Sequence, residues 1–251
     1  MQKANVVVIA SEGLTTNLLV ERLSTHMNVC KIFIESSESK KTILKRRMKR
    51  LGFSKTAGQV LFLILALPFV KNRKNRIAAI IKQHKLSGAK LDDQFAQRIK
   101  TVNDPALVSQ IEKENPTLIF INGTRILNKI LLDKINCPIV NIHVGITPKY
   151  RGVHGGYWAV HNKDLAHFGV TLHLVDQGID TGHVIAQKII TPEKEDNFKT
   201  YPLLQYCTGL DLISTNYEKL LGSEIKTIQP LTTESKLHYH PTLWEFWFGK
   251  R

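Results

Sequence analysis

Residues 137–182 read CPIVNIHVGITPKYRGVHGGYWAVHNKDLAHFGVTLHLVDQGIDTG. The apolar run from Cys137 to Val140 predicts a buried strand. Asn141 and His143 follow it two residues apart, so on an extended backbone their side chains share one side. Gly145, Pro148, Gly152, Gly155 and Gly156 then end the strand. A second strand, Val170–Val175, runs into Asp176–Gly182, a tight loop with carboxylates at Asp176 and Asp180. Polar side chains at the end of a buried strand, followed by a glycine-rich loop, mark the place where open α/β sheets hold ligands. The expected fold is therefore α/β, with a central, mainly parallel sheet and helices on both faces.

An amide, an imidazole and a carboxylate suit acyl transfer to an amine. Negative charge builds on the carbonyl oxygen during attack, and the Asn141 amide and a protonated His143 are candidate donors to it. Asp180 is the candidate to hold His143 as a cation and to relay the proton of the amine. None of the three has to act as a nucleophile.

Outward from this stretch, Val6–Ala10 predicts a buried first strand, with a turn at Ser11–Gly13 and a helix to Leu23 capped by Thr15 or Thr16. No GxGxxG follows that strand, so a dinucleotide site is not supported. Val29–Ile34 is a second strand. Residues 91–114 read as helical, including Pro105–Glu114, and Thr117–Ile121 as a buried strand. Val184–Ile190 predicts another strand and Tyr201–Leu221 an amphipathic helix for core packing. The aromatic tail around Trp244, Phe246 and Trp247 suits a cap on the core or an oligomer contact, and a homodimer is one expectation. The five histidines from His154 to His183 lack metal-ligand spacing, so no metal is expected.

The 251 residues, 43% hydrophobic, can bury a full core. Residues 1–200 read as one catalytic domain, with 201–251 packed on the same domain. Three widely spaced cysteines without CxxC argue against a disulfide framework, and a cytoplasmic protein without an N-terminal signal is expected. The net charge of +14 is unevenly placed. Residues 40–90 hold fifteen of the 35 Lys and Arg and no Asp or Glu, leaving 20 basic against 21 acidic residues elsewhere. Within this insert, Lys41–Arg50 predicts a helix broken by Gly52 and Gly58. Val60–Val70 follows, eleven apolar residues, too short on that count to cross a membrane. Three readings stand: a helical lid with solvated charges, a peripheral contact of residues 40–76 with an anionic membrane at its inner face, and a phosphate-rich partner. No aromatics interleave the basic residues, so nucleic acid is not expected.

Asn141-Ile-His143, Pro148-Lys-Tyr-Arg151-Gly152 and Asp176-x-Gly178-x-Asp180-Thr-Gly182 resemble the signature of the formyltransferases that use 10-formyltetrahydrofolate. The elements come in the family's order and spacing. One departure is Gly145-Ile-Thr-Pro148, where relatives often carry Ser-Leu-Leu-Pro; the turn proline is kept. The resemblance implies Asn141, His143 and Asp180 as the catalytic trio. It implies Arg125, Ile126 and Leu127 as a folate-binding loop, the alternative being a plain helix entry, with Val175, Asp176 and Gly178 closing the pocket. Ser11 and Gly13 would lie near the acceptor, or form an ordinary turn. Arg151, His154 and Tyr157 are further acceptor-side candidates, Arg151 either structural or phosphate-binding. HVGITPKYRGVHGGYWAV is most similar to nucleotide-sugar N-formyltransferases, which implies an amino sugar carried on a nucleotide as acceptor. The alternatives are glycinamide ribonucleotide, methionyl-tRNA, hydrolysis of the donor, and a non-catalytic membrane-surface module. About 60 residues follow Ile190, fewer than a helix and the separate C-terminal barrel of the tRNA enzymes would need.

Overall fold

The computed structural model of the chain describes residues 3–91, 96–222 and 224–249. Among these residues, seven strands form one sheet in the order β3-β2-β1-β4-β5-β7-β8. β1 (Asn5–Ser11), β2 (Asn28–Glu35), β3 (Ala96–Ile99), β4 (Leu118–Asn122) and β5 (Ile139–His143) are mutually parallel. β7 (Gly169–Leu174) and β8 (Val184–Ile189) continue the sheet antiparallel. The central, mainly parallel sheet of the sequence reading is therefore observed.

Alternation along β1 shows why both faces are covered. Val6, Val8 and Ala10 join one core cluster with α1 (Leu14–His26) and α7 (Tyr201–Leu220). Val7 and Ile9 join a second on the opposite face with α4 (Ala106–Lys113) and α5 (Lys129–Lys134). All five side chains are fully buried. α6 (Gly155–His161) leads from the loop after β5 to β7, and β6 (Arg151–Gly152) pairs with β9 (Leu237–His238) from the tail. The strand order reverses between β1 and β4, which leaves a crevice at the carboxyl ends of β1, β4 and β5.

Local expectations are corrected in four places. Helix α1 starts at Gly13 without a side-chain cap, because the Thr16 hydroxyl donates to the Ser11 carbonyl (2.6 Å) instead. In the stretch read as helical from 91, residues 92–95 lie outside the described residues and Ala96–Ile99 is an edge strand, recruited by β2. Gly58 does not break the insert helix, since the Trp244 indole lies against its open face; Gly52, at φ +78°, alone kinks it. The helical rod is also longer than eleven residues. α2 (Lys40–Leu61) continues through a π-turn and a 3-10 turn to Phe69, 30 residues in all, long and apolar enough to cross a membrane by length and composition alone.

That rod is fixed to the domain along one side. Phe62 (fully buried) meets Phe198 and Phe246, the latter on α8 (Leu243–Phe248). Gln59 Nε2 donates to the His240 carbonyl (2.9 Å), and Lys199 Nζ to that of Val70 (2.6 Å). In the next helix, α3 (Lys74–Gln83), buried Arg76 makes a two-pronged ion pair with Asp196 (2.9 and 2.8 Å).

Candidate active site

A cavity of about 410 Å³ opens at the crevice. Arg125, Ile126 and Leu127 line it after β4, Asn141 and His143 at the end of β5, and Val175, Asp176, Gly178 and Asp180 after β7. Residues far apart in the chain, singled out for two different roles, thus share one space.

The geometry around the trio is specific. Asn141 and His173 are direct cross-strand partners in β5 and β7. His173 Nδ1 faces the Leu174 carbonyl (2.7 Å) and so carries the proton, leaving Nε2 to accept from Asn141 Nδ2 (3.2 Å). One amide hydrogen of Asn141 is held; its second is directed elsewhere. His143 Nε2 lies 2.6 Å from the Tyr150 carbonyl and must donate to it. Its Nδ1 lies 3.3 Å from Asp180 Oδ2. Asp180 also accepts from the Gly152 N–H (2.8 Å) and sits 3.7 Å from His173 Nε2.

Burial pulls the His143 pKa below its usual value, and the Asp180 carboxylate only partly restores it. For Asp180, burial acts upward, but His143 and the Gly152 N–H act downward and the pKa lies at about 2. At neutral pH Asp180 is a carboxylate, and His143 Nδ1 faces it as the position where a proton can be held between the two groups. One ring nitrogen is spent on a backbone carbonyl and the other faces Asp180.

The loop after β4 is built by residues the sequence reading did not single out. Glu35, buried at the end of β2, accepts from Arg125 N (2.8 Å), Arg125 Nη1 (2.6 Å) and Val102 N (2.6 Å). The Arg125 guanidinium also donates to the carbonyls of Lys100 and Ser36 (both 3.0 Å). Its side chain anchors the loop, and its backbone shapes the cavity. Asn103 fixes the other end, donating to the Ile126 carbonyl (2.9 Å) and accepting from Asn128 N (2.7 Å). Leu127 is buried in the core, while Ile126 is 56% exposed. A lone acid closing the apolar run VCKIFIE was the available signal for Glu35. For His173 it was a polar residue in a strand otherwise buried, GVTLHL.

Other candidates lie elsewhere. Gly13 borders a separate cavity with Leu14, Asn17 and Leu91, and Ser11 lies against Gly123. Arg151 donates to the Ile179 carbonyl (3.2 Å), bracing the Asp180 loop. His154 packs on Phe198 and His240, and Tyr157 on Phe198 and Phe246, in the aromatic cluster under the insert rather than along the cavity. Among the described residues no group of three or more His, Cys, Asp or Glu is arranged for a metal ion.

The model of a family described as formyl transferase matches residues 6–202. The chain belongs to the formyl transferase family. This formyl transferase is 32% identical over 152 residues to the methionyl-tRNA formyltransferase of Thermodesulfovibrio yellowstonii, covering 61% of its own length and 44% of that protein. It is 32% identical over 128 residues to that of Finegoldia magna, 49% and 41%. The aligned part thus spans less than half of these relatives. Its fold is that of a sugar N-formyltransferase from Shewanella sp (TM-score 0.59, 14% identity, 94% of this chain and 76% of that one). It is likewise that of a phosphoribosylglycinamide formyltransferase from Streptococcus pneumoniae (0.56, 21%, 87% and 99%).

Proposed function

We propose that this formyl transferase is an N-formyltransferase that moves the formyl group of 10-formyltetrahydrofolate to the amine of a sugar carried on a nucleotide. The observation that carries the transfer reaction is the meeting of the 125–127 loop, the 175–178 segment and the trio on one cavity. The cavity also suits the donor chemically. Apolar Ile121, Ile126, Val175 and Ile179 line it together with loop residues 123–125 and Gly178, whose backbone can read a planar heterocycle edge. The Tyr206 hydroxyl in its wall is buried with no protein hydrogen-bond partner among the described residues, an orphan that a ligand would satisfy.

The donor supplies an activated one-carbon group. Asn141, oriented by His173, donates its second amide hydrogen to the formyl oxygen as charge builds there. The attacking amine forms its C–N bond, and the His143–Asp180 pair takes the proton it sheds at Nδ1. The pair returns that proton to the departing nitrogen as the old C–N bond breaks. In this reading residues 201–251 complete the catalytic domain, and the protein works in the cytoplasm. The nucleotide-sugar acceptor rests on the similarity of the 143–160 stretch. The identity to methionyl-tRNA formyltransferases, together with the basic insert, favours a second reading with methionyl-tRNA as acceptor.

The test is a panel of UDP-, dTDP- and GDP-linked amino sugars, glycinamide ribonucleotide and methionyl-tRNA with the formyl donor, products read by mass. One formylated sugar nucleotide is expected. Asp180→Asn should lower kcat about 100–10,000-fold while a 5-formyl folate still binds. Formylation of methionyl-tRNA or glycinamide ribonucleotide alone would replace the acceptor, and absence of folate binding would overturn the enzyme reading.

A further inference from the structure

The insert carries a surface that the transfer chemistry does not use. Beyond the kink at Gly52, the rod turns one side to the core through Thr56, Gln59, Phe62 and Ala66, spaced three or four apart. The opposite side is apolar and open: Phe53 is 75% exposed, Ile64 61% and Phe69 82%, with Leu61 and Leu65 between them. From Leu51 to Val70 the only charge is Lys55. Beside the rod, helix α8 lays its Trp244 ring against Gly58, and its Trp247 and Phe248 are exposed, Phe248 to 84%. This row is flanked in sequence by Lys45, Arg46, Arg47, Lys49 and Arg50 before it and by Lys71, Arg73 and Lys74 after it.

We propose that this face, the outer side of Phe53–Phe69, lies in the headgroup layer of an anionic lipid bilayer. Two alternatives fit the observations less well. A membrane crossing would need lipid on every side of the rod, but one side is fixed into the domain through Phe62, Ala66 and the Gln59–His240 bond. A second copy of the chain would satisfy the apolar row. Across a two-fold axis it would also bring together two segments that each hold fifteen cations and no acid. An anionic bilayer supplies an apolar layer for the row and negative charge for its flanks. None of these residues lines the catalytic cavity, so the surface stands or falls independently of the acceptor.

The test is flotation of the full chain with vesicles of phosphatidylcholine alone and of phosphatidylcholine with phosphatidylglycerol, at low and high salt. Binding is expected to the phosphatidylglycerol vesicles and to weaken with salt. Ile64→Asp with Phe69→Asp, both at exposed positions, should lower vesicle affinity at least about tenfold. Melting temperature and 5-formyl folate binding should stay unchanged, which separates lost binding from lost folding. No enrichment of the folded wild type on phosphatidylglycerol vesicles would overturn the proposal. So would a dimer, seen by light scattering, that the same two substitutions dissociate.

Discussion

Glu35→Gln isolates the anchor of the cavity loop. Glu35 is 5% exposed and accepts three bonds, two of them from Arg125. Glutamine keeps the shape, but one of its two terminal atoms is then an N–H₂ facing N–H donors, and of the two carboxylates facing the largely covered guanidinium only Glu38, 3.4 Å from Arg125 Nε, remains. A hydrogen bond to a charged group is worth about 1.5–3 kcal/mol, and breaking a buried pair about 3–5. Because Arg125 retains its bonds to Lys100 and Ser36, we expect a loss of about 2–4 kcal/mol. For a chain of this length that is a fall of roughly 5–15 °C in melting temperature. The loop should loosen with it, so 5-formyl folate affinity, read by titration calorimetry, should drop at least about tenfold. Lys129→Gln is the control. It removes a charge whose partner Asp133 is also exposed, and should change stability by no more than about 0.5 kcal/mol. A Glu35→Gln protein that melts with wild type and binds the folate equally well would refute the claim that Glu35 organises the loop.

Two further outcomes follow from buried groups. Burial holds His154 near a pKa of about 3, and His238 and His240 near about 4, against an ordinary 6.5. Below about pH 6.5 the unfolded chain binds protons that these folded imidazoles refuse, so stability falls as pH falls, by up to ~1.4 kcal/mol per unit per histidine. Urea midpoints should decline from pH 7 to pH 4, and His240→Asn should flatten the decline. Burial likewise lowers the His143 pKa, so the acid limb of kcat/KM should lie under 6.5 and disappear in His143→Gln. Gly209→Ala tests packing in α7: the new methyl meets Ile142 and Val170, and a loss of about 1–3 kcal/mol is expected where an exposed helix would gain. Chemical denaturation measures it.

What was legible in the sequence followed local rules. Apolar runs gave the strands of both core faces, and the spacing from Asn141 to Asp180 named residues that share a cavity. What was not legible depends on partners distant in the chain. Ala96–Ile99 is too polar to announce itself and becomes a strand because β2 offers an edge. Gly58 stays helical because a tryptophan from the tail lies against it. Which ring nitrogen of His143 donates turns on the Tyr150 carbonyl, a backbone atom that no side-chain motif reveals. His154 and Tyr157, adjacent to the motif, are taken by the aromatic cluster under the insert.

The position of β1 bears on how the chain is made. β1 is flanked by β2, which follows it closely, and by β4, whose Leu118 pairs with Val6. During synthesis from the N-terminus, the second edge of this strand, apolar from Val6 to Ala10, waits for the insert and α4 to emerge before its partner exists. Bare apolar strand edges seed association between nascent chains. Residues 40–90, which fill most of that waiting interval, carry fifteen positive charges and no negative one, a repulsive tether between neighbouring half-built molecules on a polysome.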